Sequence, residues 1–295
     1  MKIGLGTVQF GLDYGVSNHS GKTKESEVSE ILKEALRLGI HKLDTAYLYG
    51  NSESILGQNK KELRNFEVIT KTKKFDLKSI TKADVRVLRE GFFESLSRLN
   101  LNQVYGLMIH DSEDLLKENS GYLWEELELL KAEGKVAKIG VSVYSPIQTE
   151  KILEKYPIDI IQFPLNIYDH SFLQNGILAK LKKLGIEIHI RSVFLQGLAL
   201  MSLSELPTYF DSVKIHLQEC QDILQKRGIT LLEASLDFIK SVQEVDFAIL
   251  GINNISQLLE IFNSYHIKKD FSDIDYSKFA ILDENITNPS KWKLT

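Results

Sequence analysis

Four polar residues stand where short apolar runs of the chain give out. Asp44 closes the run 40–44, Lys71 follows the run 66–70, and His110 follows Val104–Ile109. Tyr49 lies five residues past Asp44, in Thr45-Ala46-Tyr47-Leu48-Tyr49-Gly50. If these runs are neighbouring strands, about 4.8 Å apart, the three strand-end side chains meet on one rim. Tyr49 can then fold back over them from its loop. Such a set suits carbonyl reduction, which needs hydride on carbon and a proton on oxygen. A free tyrosine, with a pKa of about 10, is a weak acid. A neighbouring Lys71 cation should lower that pKa, Asp44 should hold the lysine charged, and His110 should orient the carbonyl oxygen.

Alone, each residue has an ordinary explanation. Asp44 could cap a loop, Lys71 could be a solvated strand-end lysine, Tyr49 could pack a loop, and His110 could be a satisfied core histidine. The joint placement is what points to chemistry. A lysine at a strand end also admits a Schiff-base aldolase through Lys71. The Asp44 partner and the tyrosine argue against it, because a salt-bridged ammonium is a poor nucleophile.

The elements that must position these residues alternate in type. Eight short, continuously apolar runs occupy residues 2–5, 40–44, 66–70, 104–109, 137–143, 158–163, 186–190 and 247–250. Runs without polar alternation read as strands buried on both faces of a parallel sheet. Helical stripes lie between them: Val28, Ile31, Leu32, Ala35 and Leu36; Val85, Leu88, Phe92, Leu96 and Leu99; Leu173, Ile177, Leu178, Leu181 and Leu184. Gly39 and Gly185 follow the first and third as C-terminal caps. Two further helices are expected over 211–226 and 231–240. The pattern predicts a single-domain α/β fold, a (β/α)8 TIM barrel over residues 1–295, with 265–295 as a tail near the barrel mouth.

Composition narrows the partners. The 295 residues are 43 % hydrophobic and 26 % charged, with a net charge of −4, so a nucleic-acid partner is not expected. The lone cysteine, Cys220, reads as a packing residue, and no Cys/His cluster has zinc-like spacing. The opening MKIGLGTVQFG lacks the apolar run of a signal peptide, and no apolar run is long enough to span a membrane. A reducing, cytoplasmic setting and a small-molecule substrate are the expectations. His189, inside the seventh run, is expected to be a barrel-layer residue.

The string LDTAYLYGNSESILG, together with VITKT and GLMIHD, resembles the aldo-keto reductase family. The resemblance runs from LGTVQFG to LGINNISQLLE and fills all four positions of that family's catalytic tetrad. It implies NADPH or NADH bound across the barrel mouth, with NADP the commoner family choice. No Rossmann fingerprint follows Gly4-Leu5-Gly6-Thr7. By family position Gly6 and Thr7 belong to the cofactor site, and Ser142 and Gln162 should bind the nicotinamide carboxamide. Asn166 is a weaker candidate, and Val143 stands where the family often has asparagine. Arg191 takes the place of an aromatic that stacks on the nicotinamide; its planar guanidinium could stack instead, and Phe194 is the alternative. Ser192 belongs to the cofactor site as well, and the segment 195–197, with Gln196 and Gly197, should lie near the pyrophosphate. Gly251, Asn253, Asn254 and Gln257 should receive a phosphate, but the segment lacks the lysine or arginine that NADP-preferring relatives commonly carry. Asn254 and Gln257 could equally be a helix cap. Gln9, Phe10, Tyr14 and the tail are expected to wall the substrate pocket. Some relatives act as nucleotide-binding regulatory subunits with little turnover, so that reading is carried alongside the enzyme.

Overall fold

The computed structural model describes residues 1–294. Eight strands form a closed parallel barrel in chain order: β1 (Lys2–Gly6), β2 (Lys42–Asp44), β3 (Glu67–Lys71), β4 (Val104–Ile109), β5 (Val136–Ser142), β6 (Ile160–Pro164), β7 (Glu187–Arg191) and β8 (Phe247–Gly251). The (β/α)8 fold read from the sequence is the observed one. Every expected run carries a strand, with bounds moved by at most two residues. The two-residue shift at the start of β2 arises because the Ile40 amide still bonds the Ala35 carbonyl at the end of the preceding helix.

Helices wrap the barrel and bury the expected faces. Glu25–Arg37 turns Val28, Ile31, Leu32 and Ala35 inward. Gly39 follows it with φ +77°, in the left-handed region that glycine enters without steric cost. Lys82–Leu99 starts on a reciprocal Thr81–Asp84 capping box.

The third stripe was read too long. Its helix is only Ile177–Lys183, since Gly176 at φ +68° breaks the chain before it, and Leu173 and Leu184 are exposed. Between β7 and β8 the helices are Lys214–Gln225 and Leu231–Ser241, and Thr208–Val213 is a 3-10 segment.

The floor of the barrel is polar, and its charged groups are paired. Lys42 bonds Glu67 and lies 3.4 Å from the centre of the Tyr105 ring. Glu187 is buried enough to resist charging, yet His189, Lys138 and Tyr105 all donate to it and hold its carboxyl well below the usual range. His189 is fully buried in this network, a barrel-layer residue as expected. Cys220 is also buried, and burial pushes its thiol up to about 12, which keeps it unreactive.

The described tail packs beside the cavity rather than lining it. The Ile281 amide bonds the Tyr168 carbonyl, Phe279 is buried in the core, and Trp292 packs edge-on to Phe210 at 5.0 Å. The tail therefore lies along the β6–β7 side, because its apolar residues find their partners there. Among the described residues, none from 266 onward lines the main cavity. No described helix is long and apolar enough to cross a membrane.

Candidate active site

A cavity of about 860 Å³ opens at the carboxyl ends of the strands. That is near the upper end of the roughly 300–1,000 Å³ usual for small-molecule and cofactor sites. Asp44, Tyr49 and His110 line one end, and Gly251, Asn253 and Gln257 line another part of its wall.

At the Tyr49 end Lys71 Nζ donates to Asp44 Oδ2 at 2.5 Å and to the Thr45 carbonyl at 3.1 Å. Gln162 Nε2 donates to the other carboxylate oxygen of Asp44 at 2.8 Å. Both members of the ion pair are buried, and Lys71 itself does not reach the cavity. Its ammonium lies 5.1 Å from the centre of the Tyr49 ring. The His110 ring stands edge-on to Tyr49, 5.8 Å between centroids.

The expected lowering of the tyrosine is not what this geometry gives. Burial, and then the Asp44 charge, raise the Tyr49 hydroxyl above its ordinary value, with Arg191 the cation opposing them. Burial pulls Lys71 itself downward, with Asp44 opposing. Tyr49 is therefore a neutral hydroxyl across the physiological range. Burial, helped by the Lys71 and Arg191 charges, lowers His110 to about 4, so its imidazole is neutral too.

The Tyr49 loop is held by contacts that sequence reasoning missed. Ser52 Oγ donates to the Thr7 carbonyl at 2.8 Å, and Thr7 Oγ1 donates to the Asp44 carbonyl at 3.0 Å. A Cβ on Gly11 would sit 1.8 Å from the Tyr49 carbonyl oxygen. The LGTVQFG and YGNSE strings carry Thr7, Gly11, Tyr49 and Ser52, but only the packing of β1's loop on β2's loop explains them.

The other candidates divide. Gly6, Thr7, Gln9, Tyr14, Ser142, Gln162, Arg191, Ser192, Phe194, Gln196, Gly251, Asn253 and Gln257 all line the cavity. Phe10 does not: the helical turn Val8–Gly11 aims Gln9 at the cavity and drives Phe10 fully into the core. Asn254 is also turned away, because its side chain caps the helix Ile255–Tyr265 by accepting from the Gln257 amide. Asn166 braces the loop after β7, donating to the Ser192 carbonyl and accepting from the Tyr168 and Asp169 amides. Val143 faces the core, while Tyr144, which the sequence reading passed over, lines the cavity and stacks under Arg191 at 4.2 Å. Thr230, Leu231 and Leu232, ahead of and within a helix beside the mouth, are further wall residues with no sequence signal.

The loop after β7 is strained. Ser192, Leu195 and Gln196 all have positive φ, and the Gln196 carbonyl accepts from the Val16 amide at 3.0 Å. This ties the β1 loop to the β7 loop beside the cavity.

The residues fit a nicotinamide dinucleotide. Gln9, His110, Gln162 and Asn253 each carry a buried polar atom with no protein partner, and each lines the cavity. Unpaired buried groups cost about 1–3 kcal/mol each, so their gathering in one cleft marks a place for a polar ligand. Ser142 and Gln162 are register partners on β5 and β6, and the orphaned Gln162 Oε1 is an acceptor for an amide N–H.

The barrel and this site define an oxidoreductase class, and comparison with known proteins agrees. The Aldo/keto reductase family model matches residues 2–283, and the chain belongs to that family of NAD(P)H-dependent oxidoreductases. The NADH-specific methylglyoxal reductase of Escherichia coli (strain K12) is 28 % identical over 214 residues, 67 % of this chain and 64 % of that protein. The L-galactose dehydrogenase of Arabidopsis thaliana is 26 % identical over 81 % of this chain and 78 % of its own length. An aldo-keto reductase from Bacillus halodurans, in its holo form, shares the fold with a TM-score of 0.73 at 20 % identity, covering 94 % of this chain and 89 % of that one.

Proposed function

We propose that the protein reduces an aldehyde or ketone to an alcohol with a nicotinamide cofactor, reversibly, with Tyr49 as the proton donor. A nicotinamide held at Ser142 and Gln162 would supply the hydride for the carbonyl carbon. Tyr49, kept protonated by burial and by Asp44, gives its proton to the carbonyl oxygen. His110, neutral, offers an N–H that orients that oxygen without competing as an acid. Lys71 faces the Tyr49 ring and stabilises negative charge as the proton leaves; Asp44 holds Lys71 in place. The observation that carries the reading is the buried Lys71–Asp44 pair behind Tyr49, at the cavity end where Gln162 keeps an unpaired oxygen. A Schiff-base role for Lys71 has little support, since the amine is sealed from the cavity.

The favoured cofactor is NADH, against the family's commoner NADP. Arg191 is the only lysine or arginine lining the cavity among the described residues, and it sits at the end of β7. Where β8 leads into the helix Ile255–Tyr265, the chain supplies carboxylates instead: Glu27 Oε1 accepts the Ile255 amide at 2.8 Å, and Glu260 lines the wall. A 2′-phosphate there would meet like charge and an amide already bonded. The methylglyoxal reductase relative suggests short 2-oxoaldehydes as first substrates. The test is oxidation of NADH and of NADPH by the purified protein with methylglyoxal and a panel of small aldehydes. Aldehyde-dependent NADH oxidation is expected, faster than with NADPH; no turnover with any carbonyl contradicts the reading.

A further inference from the structure

The loop and strand ends above Gln162 carry a charge that the acid–base set does not use. Arg191 ends β7 and pairs in register with Pro164, two residues beyond Gln162 on β6. At roughly 3.3 Å per residue, it stands one layer closer to the mouth than the orphaned Gln162 Oε1. Its guanidinium rests one face on Tyr144 and donates to the Val143 carbonyl at 3.3 Å and weakly to Ser192 Oγ at 3.4 Å.

No carboxylate within ion-pair distance offsets it among the described residues. Asp44 lines the same cavity, and its charge is already matched by Lys71 at 2.5 Å. Asp169 feels Arg191 only at longer range; it is buried, bonded to the Ser171 amide, and its carboxyl is pushed upward. Tyr49 and His110 are neutral, as argued above. The catalytic end therefore holds one net positive charge.

We propose that Arg191 makes the site discriminate between the two redox forms of its cofactor, binding the reduced form and rejecting the oxidised one. The inference rests on the nicotinamide reading above. A carboxamide bonded at Gln162 Oε1 puts the nicotinamide ring at the Arg191 level. That ring is neutral when reduced and carries one positive charge after giving up a hydride. A fixed cation beside it repels only the oxidised form. The reaction remains balanced: hydride goes to the carbonyl carbon, the Tyr49 proton to its oxygen, and an alcohol and the oxidised cofactor result. The charge that favours capture of the reduced form then hastens departure of the spent one. A tyrosine or phenylalanine at this position could stack but could not make that distinction.

The experiment is fluorescence titration of the purified protein with NADH and, by competition, with NAD+, giving the ratio of the two Kd values. NADH is expected to bind at least about tenfold more tightly than NAD+ to the natural protein. In Arg191→Met and Arg191→Gln that ratio should shrink by about tenfold, chiefly through tighter NAD+ binding, and Arg191→Lys should preserve it. Arg191→Gln keeps a donor for the Val143 carbonyl, so it guards against a local packing defect in the methionine variant. If both nucleotides weaken together and the ratio holds, Arg191 acts only by stacking or by gripping phosphate, and the proposal is overturned. If the natural protein binds neither nucleotide, the nicotinamide reading falls with it.

Discussion

The buried ion pair is where stability and chemistry meet most tightly. Removing one partner of such a pair leaves a buried charge unmatched, at about 3–5 kcal/mol. Lys71→Met should therefore lower the urea-unfolding free energy by roughly that amount and abolish turnover. Adding Asp44→Asn should recover most of the stability and none of the activity. Full activity in the double variant would separate the pair from catalysis. His110 gives a pH prediction. Its folded pKa of about 4 lies below the ordinary 6.5, so between those values the unfolded chain takes up a proton that the folded chain refuses. Its contribution to stability is complete above pH 6.5 and is lost as pH falls through about 4. The rate profile should show no imidazole midpoint near 6.5; a limb there that vanishes in His110→Asn would contradict the neutral assignment. The gathering of Asp44, Lys71 and His110 was legible in the sequence because strand ends fix where they project, and that of Tyr49 because its loop starts at one of those ends. The direction of the Tyr49 shift was not, since it depends on how far burial outweighs a lysine whose charge Asp44 already holds.

At the scale of elements, loops decide what the strands cannot. Gly11 lets β1's loop touch the backbone of the Tyr49 loop, and a methyl there would overlap the Tyr49 carbonyl. Gly11→Ala should drop kcat by at least about tenfold, which corresponds to roughly 1.4 kcal/mol of transition-state stabilisation, and should lower Tm. An unchanged kcat would show that the loop yields elsewhere. The start of the helix Ile255–Tyr265 tests cofactor choice in the same way. Asn253→Arg supplies a cation beside the cavity wall and should tighten NADPH relative to NADH by about tenfold; equal effects on both would place the 2′-phosphate elsewhere. Strand positions followed from apolar runs alone, whereas these loop roles did not. Phe10 shows why. It neighbours Gln9 in sequence, but one step along a helical turn reverses which of them meets solvent and which meets the core. The Asn254 cap was visible as a spacing, yet only the hydrogen bond shows that its side chain is spent on the helix.

For the whole molecule, the barrel gives one rim to catalysis and closes the opposite end with the Lys42–Glu187–His189 network. The alternation of eight apolar runs with helical stripes was enough to specify this architecture, because a closed parallel sheet is buried on both faces and its strands are therefore mostly apolar. The path of the tail was not specified. Its contacts with Tyr168 and Phe210 join segments far apart in the chain, and no local pattern announces them. The result is one cavity in which the Tyr49 hydroxyl, the His110 imidazole and the unpaired Gln162 oxygen share a wall with the β8 loop. Binding and chemistry should then separate cleanly on the removal of a single oxygen atom. The direct measurement is Tyr49→Phe, titrated with NADH and assayed for aldehyde-dependent NADH oxidation beside the natural protein. NADH affinity should stay within about threefold, while kcat falls by about 100-fold or more, the span usual for losing a general acid. Turnover that survives the substitution would contradict Tyr49 as the proton donor.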